Sequence, residues 1–411
     1  MDPKIIFYII IGIIVLNFLF DKIIGYLNGT KYDAPIPELL KDVYDTDEYK
    51  KSQAYKKENS KFSNVSGLVS ILITLAFFFL DGFAWVDGIA RSFSSNEIVI
   101  TLIFMGIISL GSSLVSLPFS YYHTFVIEEK FGFNKTTKKL FWLDLIKGLF
   151  LSMILGGGIL TLITWFYEEV GQNFWIYAWV LVSIVSIFMN MFYSKLIVPL
   201  FNKQTPLEGG ELKEEITNFA KKVGFTIDKI FVIDGSKRST KANAYFSGFG
   251  REKRIVLYDT LINDLETKEI VAVLAHEVGH YKRKHIIFNL ILTILLTGFT
   301  LFILSLLVNK PIFSEALGVS IPSFHVGLVA FAILYSPISE ITGIIMNVIS
   351  RKFEYQADNY AKDHYDGKYL ISSLKKLSKN SLSNLTPHKA MVFVHYSHPP
   401  LLARVQNLLK K

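Results

Sequence analysis

Residues 267–308 read TKEIVAVLAHEVGHYKRKHIIFNLILTILLTGFTLFILSLLV. This run joins two kinds of chemistry without a linker. Its second half, Ile286–Val308, contains no charged residue, and a bilayer core of ~30 Å needs about 20 mostly apolar residues in one helix. In its first half Thr267 reads as an N-cap, with Ile270 and Leu274 following at helical spacing. The pattern predicts a helix that runs nearly unbroken into the apolar span. Inside it lies His276–Glu277–Val278–Gly279–His280. Histidines four apart share one helical face, with Cβ atoms ~5–6 Å apart, so both imidazoles can reach one ion. Zinc accepts His nitrogen and a carboxylate and keeps a fourth position for water. Glu277 stands beside that position, where it can act as general base.

Six further stretches have the length and apolarity of membrane spans: Ile5–Leu27, Phe62–Val86, Ile98–Phe119, Leu145–Tyr167, Phe174–Val198 and Phe324–Ile349. Composition agrees across the 411 residues, with 51% hydrophobic, 19% charged and 34 Phe. The charged share falls below the ~25% usual for soluble domains. Buried helices of a large soluble core would be shorter and would keep a polar face. The first stretch has one Lys ahead of it and no small-residue cleavage site, so it reads as an anchor. The chain has no Cys, which excludes disulfides, thiol catalysis and cysteine-ligated metal.

Charge tests the count of seven. If the sides alternate, one side receives the loop 28–61 with seven Lys, the loop 122–144 with four, the segment 195–285 with sixteen Lys or Arg, and the tail after Ile349 with eleven. The other side receives only Lys4, Arg91 and Lys310. Basic residues collect on the cytosolic side, so the C-terminus and the H-E-x-x-H segment are expected in the cytosol and the N-terminus opposite. The same asymmetry accounts for the net charge of +8 through an anionic leaflet. No nucleic-acid-binding motif is present. Asn17, Asn190, Glu340 and Asn347 lie at depth within spans. Glu340 calls for a water-accessible interior, because a charge facing lipid is costly. Pro118 and Pro337 should kink their spans.

The segment 199–285 reads as a small cytosolic unit: a helix over Glu211–Val223, strands at Lys229–Ile233, Ala244–Gly250 and Arg254–Tyr258 with a turn over Gly250–Lys253, then the H-E-x-x-H helix. The tail Glu354–Lys411 reads as two or three helices. The units are therefore 1–198 with five spans, 199–285 cytosolic, 286–350 with two spans, and 351–411 cytosolic, all integrated as one domain.

A third ligand is sought on the same membrane side. Glu354 follows the last span directly, and Asp358 lies one helical turn on. A carboxylate at 358 can hold a ligand histidine by its free ring N–H. His398, before Pro399–Pro400, is fixed in an extended or turn geometry, where it could donate to a developing oxyanion; taken alone it reads as a loop histidine. His123, His285, His325, His364, His388 and His395 read as structural or solvated.

The motifs taken together resemble one family. Pro118–Tyr121 with Phe125–Thr137, Pro199–Lys203 with Thr205–Leu207, Asp234–Ser239 with Asn243–Phe246, the HEVGH site, Phe353–Asp358 and Ser397–Pro400 are similar to integral-membrane zinc metalloproteases of the CAAX prenyl protease 1 type. The resemblance implies a mainly α fold of seven spans forming a barrel around a water-filled chamber, with a small cytosolic zinc-protease portion. It implies one Zn2+ on His276, His280 and Glu354, catalysis by Glu277, assistance from His398, and a substrate backbone held along Asn243–Ala244–Tyr245. It further implies hydrolysis near the C-terminus of prenylated CAAX proteins or similar hydrophobic peptides. Two alternatives stand beside it: a membrane quality-control metalloprotease that needs no prenyl group, and a non-catalytic lipid- or isoprenoid-binding scaffold. The Lys-, Ile-, Phe- and Asn-rich composition favours a bacterial inner membrane over the endoplasmic reticulum. The expected partners are a peptide or protein, prenylated or not, and the lipid bilayer.

Overall fold

The computed structural model describes residues 2–225, 229–248 and 253–410. Helices α1 (Pro3–Gly29), α2 (Thr46–Phe79), α3 (Gly82–Phe93), α4 (Glu97–Tyr122), α5 (Lys138–Val170), α6 (Phe174–Leu196) and α7 (Val198–Phe201) come first. A mixed segment follows: β1 (Gln204–Pro206), α8 (Glu211–Lys222), β2 (Ile230–Ile233), β3 (Ala244–Ser247), β4 (Arg254–Tyr258), α9 (Asp259–Asp264) and α10 (Thr267–Lys282). The chain ends with α11 (His285–Leu307), α12 (Pro311–Ala316), α13 (Phe324–His364), α14 (Gly367–Asn380), α15 (Lys389–His395) and α16 (Leu401–Leu409).

Among the described residues, six continuous helical stretches are long and apolar enough to cross a membrane, and only 6–17% of their most apolar windows is buried. Met153 and Ile154 on α5 are each 67% exposed. Apolar surface on that scale needs lipid or a partner to cover it. The longest stretch, Lys138–Phe201, is divided by a 3-10 turn at Gly171–Asn173, where Gly171 has φ +57°. Across that turn α5 packs on α6, with Tyr167 and Phe174 rings 5.5 Å apart. Helices α4 and α13 continue through Pro118 and Pro337.

Apolar clusters pin both ends of the helices. One gathers the start of α1 (Ile6, Ile10), the end of α2 (Phe78), α3, the start of α4 (Ile100, Phe104) and the start of α13 (Val326, Ala330). A second joins the start of α6 (Phe174), the end of α11 (Leu304, Val308) and Phe324. At the other end, Leu40 and Tyr44, Phe131 and Phe133, and Leu385, Leu401 and Val405 form a cluster that ties the two polar loops to the tail. From Phe324 to Glu354, α13 spans roughly 45 Å at 1.5 Å per residue, so Glu354 lies far from the first two clusters.

The sheet has strand order β1-β2-β4-β3. Strands β2 and β4 are parallel, while β1 and β3 flank them antiparallel. Strand β3 is therefore an edge, in register Ala244↔Leu257 and Tyr245↔Val256. It covers Ala244–Ser247, shorter than the expected run to Gly250; residues 249–252, which hold most of the expected turn, lie outside the described residues.

Larger differences from the sequence reading lie at helix ends. The second span ends at Phe79 rather than Val86. Asp81 has φ +52°, and a Cβ on Gly82 would meet the Phe77 ring at 2.5 Å, so the chain turns there and Val86 belongs to α3. Glu266, not Thr267, caps α10, and its N–H donates to Glu269 Oε2 at 2.9 Å. The helix does not run on into the apolar span: Lys284 adopts φ +60° between α10 and α11.

Candidate metal centre

Helix α10 is buried in the apolar core of the cytosolic segment through Ile270, Val271, Leu274 and Val278. That face fixes where the opposite face, with His276 and His280, must point. Helix α13 crosses it at Gly279. A Cβ there would lie 3.0 Å from Tyr360 Cβ, 3.1 Å from Ala357 Cα and 3.2 Å from Ala357 O. This close approach sets Glu354, one turn before Ala357 and Asp358, against the histidine pair.

His276 Nε2 and His280 Nε2 are 3.1 Å apart. Glu354 Oε2 is 3.4 Å from His276 Nε2, and Oε1 is 3.3 Å from His280 Nε2. Bonds of 2.0–2.1 Å to a tetrahedral zinc imply ligand–ligand edges of about 3.3–3.4 Å. Each histidine uses its other nitrogen elsewhere. His276 Nδ1 meets Asp358 Oδ1 at 2.9 Å, and His280 Nδ1 meets His285 Nδ1 at 3.1 Å. With those Nδ1 atoms as donors, both Nε2 lone pairs face each other and a carboxylate, an arrangement that repels unless a cation lies among them. Glu354 Oε2 is buried without a hydrogen-bond partner among the described residues. This donor set fits a divalent metal. Burial opposes charge on His276, but hydrogen bonds to Asp358 and Glu354 outweigh it and lift its pKa to about 9. In the metal-free protein a proton thus takes the cation's part.

Known proteins match this chain over nearly its whole length. A model described as CAAX prenyl protease N-terminal, five membrane helices, matches residues 26–203, and one for peptidase family M48 matches 206–411. The chain belongs to peptidase family M48. A CAAX prenyl protease 1 homolog of Arabidopsis thaliana is 36% identical over 406 residues, covering 97% of this chain and 96% of that one. The CAAX prenyl protease 1 of Saccharomyces cerevisiae is 36% identical over 427 residues, covering 97% and 94%. The crystal structure of S. mikatae Ste24p superposes with a TM-score of 0.94 at 36% identity, covering 100% of both chains. This M48 chain is accordingly a multi-pass membrane metalloendopeptidase.

Each other predicted residue has a definite place. Glu277 is half-buried between the two histidines and makes no hydrogen bond or ion pair among the described residues, leaving its carboxylate available. His398 Nε2 reaches Glu354 Oε1 at 3.3 Å, with Ser397 Oγ on its Nδ1 at 3.0 Å. Asn243 is exposed beside β3, and its carbonyl accepts from Tyr258 N–H at 3.0 Å. Phe246 rests on Tyr281, ring centroids 5.2 Å apart, which holds the edge strand beside the H-E-x-x-H helix.

The structure adds two residues to this M48 site. His285, read from sequence as structural or solvated, stacks on Phe353 (4.0 Å, 7°) and meets Gln356 Oε1 at 2.8 Å. The turn at Lys284 brings it back onto His280. Arg404 grips Asp358 with Nε at 2.9 Å and Nη2 at 2.5 Å, and its Nη1 lies 3.6 Å from Glu354 Oε2. A signal was present: only seven of the 43 basic residues are Arg, and a rigid guanidinium fork is chosen where two oxygens must be held together.

Proposed function

We propose that the chain holds one Zn2+ between His276, His280 and Glu354 and hydrolyses peptide bonds with Glu277 as general base. One observation carries the reading: donors from two helices meet at tetrahedral-edge spacings around a buried carboxylate oxygen that accepts no hydrogen bond among the described residues. Such an ion supplies Lewis-acid polarisation of a carbonyl and a water of lowered pKa. Glu277 takes the proton of the attacking water and delivers it to the departing nitrogen. His398, whose ring reaches the same carboxylate, donates to the oxyanion. Asp358, gripped by Arg404, keeps the His276 tautomer that leaves Nε2 free. Strand β3, with no further strand beyond it among the described residues, takes an extended peptide as one more strand.

Counting α5 and α6 separately gives seven crossings. The apolar clusters favour that count, since they gather the starts of α1, α4, α6 and α13 with the ends of α2 and α11 at one end. The zinc end then carries the basic loops and faces the cytosol. Asn190 and Glu340 are exposed within spans, which favours a water-filled chamber inside a barrel of helices. The names of the relatives favour prenylated CAAX proteins as substrates, and their plant and fungal origin favours a eukaryotic endomembrane over the bacterial membrane that composition alone favoured.

The test pairs metal analysis with cleavage. Purified protein should contain one zinc per chain, His276→Ala and Glu354→Ala should lose it, and chelator should stop cleavage of a farnesylated CAAX peptide reversibly. Undiminished cleavage in chelator would end the metal reading. Equal rates on the unprenylated peptide would remove the prenyl requirement.

A further inference from the structure

A cavity of about 470 Å³ lies between α1, α2 and the segment 381–396. Its wall includes Lys22, Tyr55, Lys56, Ser383, Asn384 and Tyr396. Lys56 is nine-tenths buried, and among the described residues its ammonium meets only Ser52 Oγ, at 2.8 Å. Lys22 donates to Ser63 O and Asn64 Oδ1, both at 3.1 Å. Among the described residues neither lysine has a carboxylate within ion-pair distance. Burying an ammonium against neutral acceptors costs several kcal/mol. Asn384 Nδ2 adds a buried donor with no acceptor among the described residues. Asp21, the one acid on the wall, lies 3.8 Å from His395. The cavity therefore has donors and positive charge in excess, the signature of a site for an oxyanion.

Its position names the oxyanion. Tyr396 lies two residues before His398, and two extended residues span at most ~7 Å. On the other side, the Tyr55 hydroxyl accepts from Lys241 Nζ at 3.1 Å, and Lys241 lies two residues before Asn243. The cavity thus adjoins both flanks of the cleft, within a few residues' reach of a bond held near Glu277. The anion that a peptide carries at such a distance is its own terminal carboxylate.

The geometry points to a subsite in which Lys56, assisted by Lys22 and the Asn384 amide, binds the free C-terminal carboxylate of the peptide substrate. This rests on the protease reading above and deepens it: the enzyme selects chain ends by charge. Lys56 and Lys22 are specificity-determining residues, remote from the reacting atoms.

The test measures binding on full-length, zinc-loaded Glu277→Gln protein in detergent. Fluorescence anisotropy compares a labelled hydrophobic decapeptide bearing a free carboxylate with the same peptide as its C-terminal amide. The acid should bind ~10-fold more tightly, in line with one charge-assisted pair. Lys56→Met should bring the acid-to-amide ratio toward one, Lys56→Arg should restore most of it, and Lys22→Met should lower it less. Zinc content reports whether each variant is folded. Equal binding of acid and amide by the parent protein would overturn the subsite. So would an unchanged ratio in folded Lys56→Met, including the case where that variant loses binding to phosphatidylserine nanodiscs, which would assign the lysines to a lipid phosphate. Because the ratio is read without turnover, it stands apart from the protease reading, which fails if zinc-loaded parent enzyme cleaves neither peptide.

Discussion

Gly279 sits inside the H-E-x-x-H helix, where propensity alone would favour Ala by ~1 kcal/mol. The tertiary contact predicts the opposite. A methyl at 279 would lie 3.0–3.2 Å from Tyr360 Cβ and the backbone of Ala357, where ordinary contact begins at 3.4 Å. Relief requires α13 to retreat by about 0.2–0.4 Å, since two of the three atoms are backbone and cannot rotate away. Metal–ligand distances tolerate about ±0.2 Å, and Glu354 rides on the helix that must move. Overpacking of this kind costs ~1–3 kcal/mol, which exceeds the propensity gain. Gly279→Ala should therefore weaken zinc binding by roughly 10–100-fold, the scale of other indirect disturbances of metal ligands, while the protein stays folded. The assay is zinc retained after dialysis against graded chelator, alongside the melting temperature in detergent. Gly156→Ala in α5, where nothing lies within 4 Å of the added carbon, is the control and should keep zinc as the parent does and melt no lower. A Gly279→Ala protein that keeps zinc as tightly as the parent and melts no lower would refute this reasoning.

Four further outcomes can be measured. Glu277→Gln should retain full zinc content by elemental analysis yet lose ~10²–10⁴-fold in kcat, the usual share of a general base. His285→Ala removes the partner of His280 Nδ1 and should cost ~10–100-fold in zinc affinity, read by competition with a fluorescent chelator. Arg404→Met leaves Asp358 buried without its guanidinium and should destabilise the fold by about 3–5 kcal/mol, seen as a large drop in melting temperature that Asp358→Asn partly offsets in the double variant. The pKa of about 9 at His276 means that metal must displace a proton, so apparent zinc affinity should rise roughly tenfold per unit between pH 6 and 8. Stability of the metal-free protein should run the other way. A raised histidine stabilises fully below its unfolded value of about 6.5, and that contribution is lost as pH rises through about 9. A flat affinity profile would contradict it.

Sequence by itself determined whatever depends on local order: which stretches are apolar enough for lipid, which loops between them are basic, and that two histidines one turn apart share a helical face. Residues 353–358 were legible as a carboxylate pair within one motif, but the part each position plays was not. Only the packed structure gives each position its role. Phe353 stacks on His285, Glu354 joins the histidines, Gln356 holds His285, Ala357 fits Gly279, and Asp358 holds His276 and Arg404. Arg404 was missed because its partner Asp358 lies 46 positions away in the chain, and His285 because it meets His280, five residues back, only through the turn at Lys284, while its other partner, Gln356, lies 71 positions away. The turn at Lys284 was hidden for the same reason. A non-glycine residue with positive φ is costly locally, and it stands here where His285 comes back to meet His280. Periodicity records what a helix buries, whereas the tertiary structure decides which helices cross, how closely, and therefore which distant side chains meet.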